Sequence, residues 1–220
     1  GHLTCVDASR EETLEVARGF RKAGVEDIVA LRGDPPKGAD GFVPHPDGFA
    51  NSVELIAALA DDGFNVRVGC YPDVHPEAKN AQADLDWLRA KIDAGASEAI
   101  TQFFFDAETF LRFRDRAAAA GVAAPIIPGI LPIEDWAKTS KFAEACGAII
   151  PDELRAAFDV AVRDDRADLL AIAQAAELAD TLVCEGCDHL HFYTLNRPEL
   201  TRDVCTALGL APRPSLSRVA

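Results

Sequence analysis

Short apolar segments alternate with longer amphipathic segments along almost the whole chain. The first kind is typical of buried strands and the second of helices, and together they give six predicted β/α units. The predicted strands are 2–6, 27–31, 66–71, 98–105, 125–130 and 189–194. The predicted helices are 9–23, 49–62, 80–94, 106–120, 134–146, 151–163, 165–183 and 198–208. Crossovers of this length join parallel strands, which limits the fold to a β/α barrel or a doubly wound open sheet.

Length and charge narrow the class of protein. With 220 residues, 49% of them hydrophobic, the chain can bury one sizeable core, and we predict a single domain over residues 1–210 followed by a flexible tail, 211–220. The formal net charge of −14 disfavours nucleic acid and anionic membranes as partners. No apolar run is long enough to span a bilayer, so we expect a soluble, cytoplasmic protein.

Six cysteines are scattered through the chain without the density of a disulfide scaffold. Cys184 and Cys187 have the CxxC spacing, but no second pair completes a zinc site. We predict that they lie in a turn before a strand, not at the helix N-terminus typical of redox motifs. Ordinary thiols are the favoured interpretation, and a redox or metal role is the alternative.

Polar residues follow several predicted strands, at the edge where both barrels and open α/β sheets bind ligands. Arg32 and Asp34 flank Gly33, which would allow a close approach of the backbone to a ligand. Tyr71 stands at the end of the next strand, and Gln102 stands among apolar neighbours, where its amide would bond either a polar ligand or the backbone. Neither a GxGxxG nor a Walker motif is present, so a dinucleotide would not be bound in the Rossmann manner.

The helix predicted over 80–94 carries Asp84 and Lys91, which are seven residues apart and share a face. Two charges on one helix face usually mark a solvated surface. The helix follows a loop that bears Tyr71 and His75, however, and this favours a site.

The last predicted strand places His189, His191 and Tyr193 on one side by its period of two. A His-x-His pair at a strand end is also a metal-site spacing in barrel hydrolases, and His2 is the one obvious further ligand. A metal-dependent hydrolase is therefore an alternative, although hydrogen-bonding roles without a metal are favoured.

Six motifs occur in order along residues 2 to about 209. They are HLTC (2–5), ALRGD (30–34), YPDVHPEAKNAQADL (71–85), AITQFFFD (99–106), IIPGILP (126–132) and HFYTLNR (191–197). In these motifs the chain resembles methylenetetrahydrofolate reductases of the bacterial type. The resemblance implies a (β/α)8 TIM barrel that binds FAD, takes hydride from NADH or NADPH, and makes methyltetrahydrofolate for methionine synthesis. It also implies a homo-oligomer, a tetramer in bacterial members.

The resemblance assigns roles to individual positions. FAD contacts are implied for His2, Arg32, Gly33, Asp34, Tyr71, His75, Ala78, Asp84 and Lys91. Asp34 would lie near the flavin ring, and Gln102 would contact the nicotinamide and the folate in turn in a ping-pong reaction. Phe142 would stack on the substrate, and Arg197 would pair with the folate's glutamate carboxylate.

The match departs from the family pattern at its start. The first predicted strand corresponds to the third strand of the family barrel, so two β/α units and the glutamate general acid of an earlier strand are expected to be absent. This chain on its own is therefore expected to be weakly active at most. A partial barrel that binds flavin or folate without catalysis is the alternative.

Overall fold

The computed structural model describes residues 1–35, 38 and 41–210. The chain divides into two compact units, one formed by residues 1–102 with 110–127 and the other by residues 103–109 with the chain from 128 onward. The single domain over 1–210 stays a prediction, and the predicted tail, 211–220, lies outside the described residues.

The first unit is built on a five-stranded parallel sheet in the order β1-β2-β3-β4-β5. Its elements are β1 (His2–Thr4), α1 (Arg10–Lys22), β2 (Asp27–Leu31), α2 (Ser52–Asp61), β3 (Asn65–Cys70), α3 (Ala81–Asp93), β4 (Ala96–Thr101), α4 (Ala107–Ala119) and β5 (Ile126–Ile127). Each strand pairs with the next strand along the chain, so their carboxyl ends lie at one edge of the sheet.

The core of the first unit lies between this sheet and its helices. Alternate residues of β2 and β3 are buried, among them Ile28, Val66 and Val68, and α2 contributes the fully buried Leu55 and Leu59. Burial of such side chains contributes about 1.5–3 kcal/mol each, which is what holds the helices on the sheet.

The second unit contains β6 (Gly129–Ile130), α5 (Trp136–Cys146), α6 (Asp152–Arg163), α7 (Ala167–Cys184), β7 (His191–Phe192) and α8 (Pro198–Ala207). Its two short strands pair in parallel. Phe103, Ile133 and the fully buried Phe158 form part of its core. Trp136 stacks on Phe158, with ring centroids 4.8 Å apart.

The predicted parallel α/β class is confirmed, and a strand overlaps each of the six predicted ranges. The fourth strand is shifted toward the N-terminus, since it covers 96–101 and not 98–105. Closure into an eight-stranded barrel stays a prediction. The fifth predicted strand is two strands, β5 and β6, because Pro128 between them has no N–H to donate to a ladder. The carbonyl of Pro128 instead accepts a hydrogen bond of 2.9 Å from the N–H of His191.

Two local predictions need correction. The last strand covers only 191–192, so His189 lies outside it, exposed. Cys184 is the final residue of α7 and not part of a turn. A turn at Glu185 and Gly186 follows the helix. The φ of +89° at Gly186 places its N–H and that of Cys187 on the carbonyls of Val183 and Leu182.

No helix in the described part of the chain is both long and apolar enough to cross a membrane.

Candidate functional site

Three neighbouring strands of the first unit carry their predicted site residues to the same edge. Arg32 follows β2, Tyr71 follows β3 and Gln102 follows β4. The strands are parallel and adjacent, so these positions lie side by side at the carboxyl edge of the sheet. The N–H of Gln102 donates to the carbonyl of Cys70 at 2.7 Å, which extends the β3–β4 ladder to that edge.

Gly33 allows the chain to turn away from β2 close against β1. Its φ is +88°, and a Cβ at this position would lie 2.5 Å from Cγ1 of Val6. A side chain is excluded both by the left-handed backbone and by this contact. The next residue, Asp34, is exposed to solvent.

Arg32 is held in place by two neighbours. Its Nη1 and Nη2 donate to the two carboxylate oxygens of Glu77, at 2.5 and 3.0 Å. Its guanidinium lies over the ring of Phe42, 5.0 Å from the centroid. The hydrogen bond to Glu77 raises the pKa of Arg32, which therefore stays cationic.

The loop after β3 is organised around His75. Its Nδ1 accepts a hydrogen bond from the N–H of Glu77 at 3.0 Å, and its own N–H donates to the Asp84 carboxylate at 2.9 Å. The ring of Tyr71 meets the imidazole edge-on, with centroids 4.5 Å apart. The carbonyl of His75 accepts from the N–H of Ala78 at 2.8 Å. Burial lowers the pKa of His75, although the carboxylates of Asp84 and Glu77 oppose that shift.

Lys91 reaches from α3 back to the end of β3. Its Nζ donates to the carbonyl of Gly69 at 2.8 Å. Burial of the ammonium lowers the pKa of Lys91, and the nearby Asp84 carboxylate acts in the opposite direction. The neighbouring thiol of Cys70 is buried, which raises its pKa to about 12 and keeps it protonated.

Asp84 and Lys91 both turn toward β3 and its loop, so their shared face is confirmed and the solvated-surface interpretation is wrong. His2, on the edge strand β1, is exposed, and Ala78 is half-buried. The contacts above connect Arg32 with His75, through Glu77, and His75 with Asp84.

The remaining predicted residues, Phe142 and Arg197, belong to the second unit. Phe142 is 42% exposed, and its ring lies 5.2 Å from that of Phe103. Arg197 donates to Glu134 at 2.7 Å, and this hydrogen bond raises its pKa. Arg197 also lines a pocket of about 190 Å³ together with Tyr193 and residues of the loops around it.

Sequence reasoning missed three residues that support the site. Glu77 binds Arg32, Phe42 lies under the Arg32 guanidinium, and Arg116 of α4 donates to the carbonyl of Pro72 at 3.3 Å. One sequence signal could have pointed to Glu77. A His-Pro-acid triplet occurs twice, at 45–47 and 75–77, and each time the N–H of the acidic residue donates to Nδ1 of the histidine.

The metal alternative rests on the histidines of the last predicted strand. His191 and Tyr193 do share a side, with ring centroids 4.8 Å apart. Within the described residues, however, no group of three or more His, Cys, Asp or Glu side chains could hold a metal ion.

Comparison with known proteins finds relatives that match almost the whole chain. The family model described as methylenetetrahydrofolate reductase matches residues 1–209. The chain is 45% identical over 213 residues to the 5,10-methylenetetrahydrofolate reductase of Pectobacterium carotovorum, and over 215 residues to that of Escherichia coli. Each alignment covers 96% of this chain and 70% of the relative. Methylenetetrahydrofolate reductase (NADH) 1 of Arabidopsis thaliana is 34% identical over 230 residues, which is 99% of this chain and 39% of that protein.

Proposed function

The chain belongs to the methylenetetrahydrofolate reductase family. From this we propose that it takes part in the FAD-dependent reduction of methylenetetrahydrofolate to methyltetrahydrofolate. NADH or NADPH would be the hydride donor, and the name of the Arabidopsis relative favours NADH.

The cluster at the carboxyl ends of β2 and β3 is the observation that carries this proposal. It combines two cations, Arg32 and Lys91, with an imidazole, a phenol ring and the carboxylate of Asp84. FAD needs positive charge for its pyrophosphate, hydrogen-bond acceptors for its ribose hydroxyls and flat groups along its rings. The local cations matter because the chain as a whole has a net charge of −14.

Individual roles follow from this donor set. Lys91 would attract the pyrophosphate, and Asp84 would accept from ribose hydroxyls. The carboxylate of Asp34 is exposed just beyond Gly33, and beside the flavin ring it would tune the ring's electronics. The remaining contacts with FAD would come from His2, Tyr71, His75 and Ala78.

Bound FAD would supply hydride transfer from the nicotinamide to the methylene carbon of the folate. The amide of Gln102 both donates and accepts, so it would suit the nicotinamide carboxamide and the pterin in turn. Phe142 and Arg197 would contact the folate through ring stacking and through a carboxylate ion pair.

The first test is flavin retention. The purified chain should keep a flavin absorbance band after FAD addition and desalting, and Lys91→Met should weaken FAD binding by about tenfold or more because a charge-assisted contact is lost. Lys79→Met is the matched control, since Lys79 is exposed in the preceding loop. A folded protein that stays colourless would refute the proposal.

The second test is turnover. Under anaerobic conditions NADH should bleach the bound flavin, and methylenetetrahydrofolate should restore its colour. Bleaching without restoration by folate would identify a flavin-binding protein that lacks the folate reaction.

A further inference from the structure

Glu77 occupies a central place in the cluster, although it is 56% exposed at the side chain. Its carboxylate accepts hydrogen bonds from both terminal nitrogens of Arg32. These bonds link the loop after β2 to the loop after β3. A bidentate arginine–carboxylate pair fixes orientation as well as distance, which a single contact does not.

The pair also fixes the guanidinium of Arg32 as a whole. Its Nε donates to the carbonyl of Gly33 at 3.3 Å, so together with the two bonds to Glu77 three of its five N–H groups are used. The planar group is therefore held in one direction against the ring of Phe42. Its two remaining N–H groups consequently have defined directions before any ligand arrives.

The main chain of Glu77 acts on a second residue. Its N–H donates to Nδ1 of His75 at 3.0 Å. A backbone N–H can only donate, so Nδ1 must be unprotonated, and the neutral imidazole carries its proton on Nε2. The Asp84 carboxylate holds the backbone N–H of His75, and the Tyr71 ring packs edge-on against the imidazole.

We propose that Glu77 is a positioning residue of the cofactor site, whose carboxylate orients Arg32 and whose backbone N–H sets the Nε2–H tautomer of His75. The identity of the ligand, FAD, rests on the proposed function, whereas the ion pair and the tautomer do not. A plain surface ion pair would contribute little to stability and would leave ligand affinity unchanged.

FAD titration of Glu77→Gln tests the carboxylate. The variant keeps the shape of the side chain but loses its charge, and FAD should bind about fivefold to tenfold more weakly because Arg32 is no longer held. Glu98→Gln is the matched control. It breaks the ion pair between Arg67 of β3 and Glu98 of β4, in the same sheet. Its FAD affinity should stay within about twofold of the wild type, since mutations at independent sites do not couple. An unchanged or tighter affinity in Glu77→Gln would overturn the proposal.

A double-mutant cycle shows whether Glu77 acts through Arg32. In an Arg32→Gln background, Glu77→Gln should cause no further loss of FAD affinity. A loss of the same size in both backgrounds would mean that Glu77 acts on the ligand directly or only on the fold, and would refute a positioning role.

The tautomer is measured without flavin. In ¹⁵N NMR spectra of the wild-type apoprotein, assigned by comparison with His75→Gln, His75 should show an unprotonated Nδ1 and a protonated Nε2. The opposite tautomer would overturn that half of the proposal. If the wild type bound no FAD, the proposed function would fail while this measurement would still decide the tautomer.

Discussion

The two units hold their predicted site residues in different ways. In the first unit, Arg32, His75 and Lys91 each have a hydrogen-bonded partner at 2.5–3.0 Å from elsewhere in the same cluster. In the second unit, Phe142 is 42% exposed. Arg197 pairs with Glu134, but 62% of the Arg197 side chain is exposed and Glu134 is half-exposed.

This difference follows from the strands. Five neighbouring parallel strands fix the backbone at the edge from which the first unit's side chains extend. Among its described residues, the second unit has two strands of two residues each. Arg197 follows Leu195 and Asn196, whose φ angles of +48° and +62° mark a turn. A ligand that binds in the first unit finds ordered groups, whereas one that orders Arg197 or Phe142 must offset a loss of side-chain entropy of about 0.5–1.5 kcal/mol each.

The largest expected effect is on the free energy of unfolding, and it compares the core of the second unit with its candidate site. Phe158 is fully buried under Trp136, and Phe158→Ala should lower the free energy of unfolding by about 3–5 kcal/mol because it leaves a cavity. Phe142→Ala should cost less than about 1 kcal/mol, since that ring is already half in solvent.

Urea unfolding followed by tryptophan fluorescence measures this pair of variants. The protein has two tryptophans, Trp87 in α3 and Trp136 in α5, so a Trp87→Phe background reports on the second unit alone. Similar losses in the two variants would show that the candidate site there is as tightly packed as the core.

The next effect tests how rigid the first unit's site edge is. Gly33→Ala should lower the free energy of unfolding by about 2–4 kcal/mol, because a left-handed alanine is strained and its Cβ meets Val6 at 2.5 Å. Gly24→Ala is the matched control, with a φ of +82° and no atom within 4 Å of the added Cβ, and should cost about 1–2 kcal/mol.

Chemical denaturation of both glycine variants isolates the steric part of the cost. If they lose the same stability, the loop after β2 moves freely enough to accommodate a methyl group, and the site edge is not rigid.

The sequence predicted most of the fold because its periodicity is local. The helix predicted over 9–23 is found at Arg10–Lys22, and the Ser9 side chain that caps it accepts from the N–H of Glu12, only three positions away. The break at Pro128 was missed because an apolar run looks continuous in composition, whereas a ladder depends on each N–H. Barrel closure involves strands whose pairing no short-range pattern encodes.

For the candidate site, the sequence predicted which residues take part better than which partners hold them. Asp84 and Lys91 were identified by helix geometry and by the family resemblance, and both do turn toward β3 and its loop. Glu77 was not identified, because an acidic residue in a polar loop is typical of solvated surface. Its partner Arg32 is 45 positions away, and only the sheet brings the two together.

A smaller effect concerns pH and again belongs to the first unit. Burial lowers the pKa of His75 below its ordinary value of about 6.5, with Arg32 and Lys91 acting in the same direction and Asp84 and Glu77 in the opposite one. The unfolded chain therefore binds the proton at a higher pH than the folded chain does. The stability that neutral His75 contributes is complete above about pH 6.5 and is lost as the pH falls through the folded-state pKa.

Thermal unfolding from pH 7.5 down to 5 measures this dependence in the wild type and in His75→Gln. The variant should lose less stability than the wild type over this range. His45→Gln is the matched control, because His45 makes the same Nδ1 contact with the second residue after it, Asp47. Identical pH profiles for the wild type and His75→Gln would show that burial of His75 has no energetic consequence.

The smallest effect contrasts ion pairs in the two units. Arg197 and Glu134 are 62% and 47% exposed at their side chains, whereas Arg67 and Glu98, which join β3 to β4, are 32% and 21% exposed. Solvent and salt screen the first pair more strongly, so Glu134→Gln should change the free energy of unfolding by less than about 0.5 kcal/mol, and Glu98→Gln by about 1 kcal/mol. Denaturation at low and at high salt measures both variants, and the Glu98→Gln loss should persist in high salt more than any loss in Glu134→Gln. A larger loss in Glu134→Gln would mean that the second unit holds Arg197 as firmly as the first holds its own arginines, which would remove the difference between the two units.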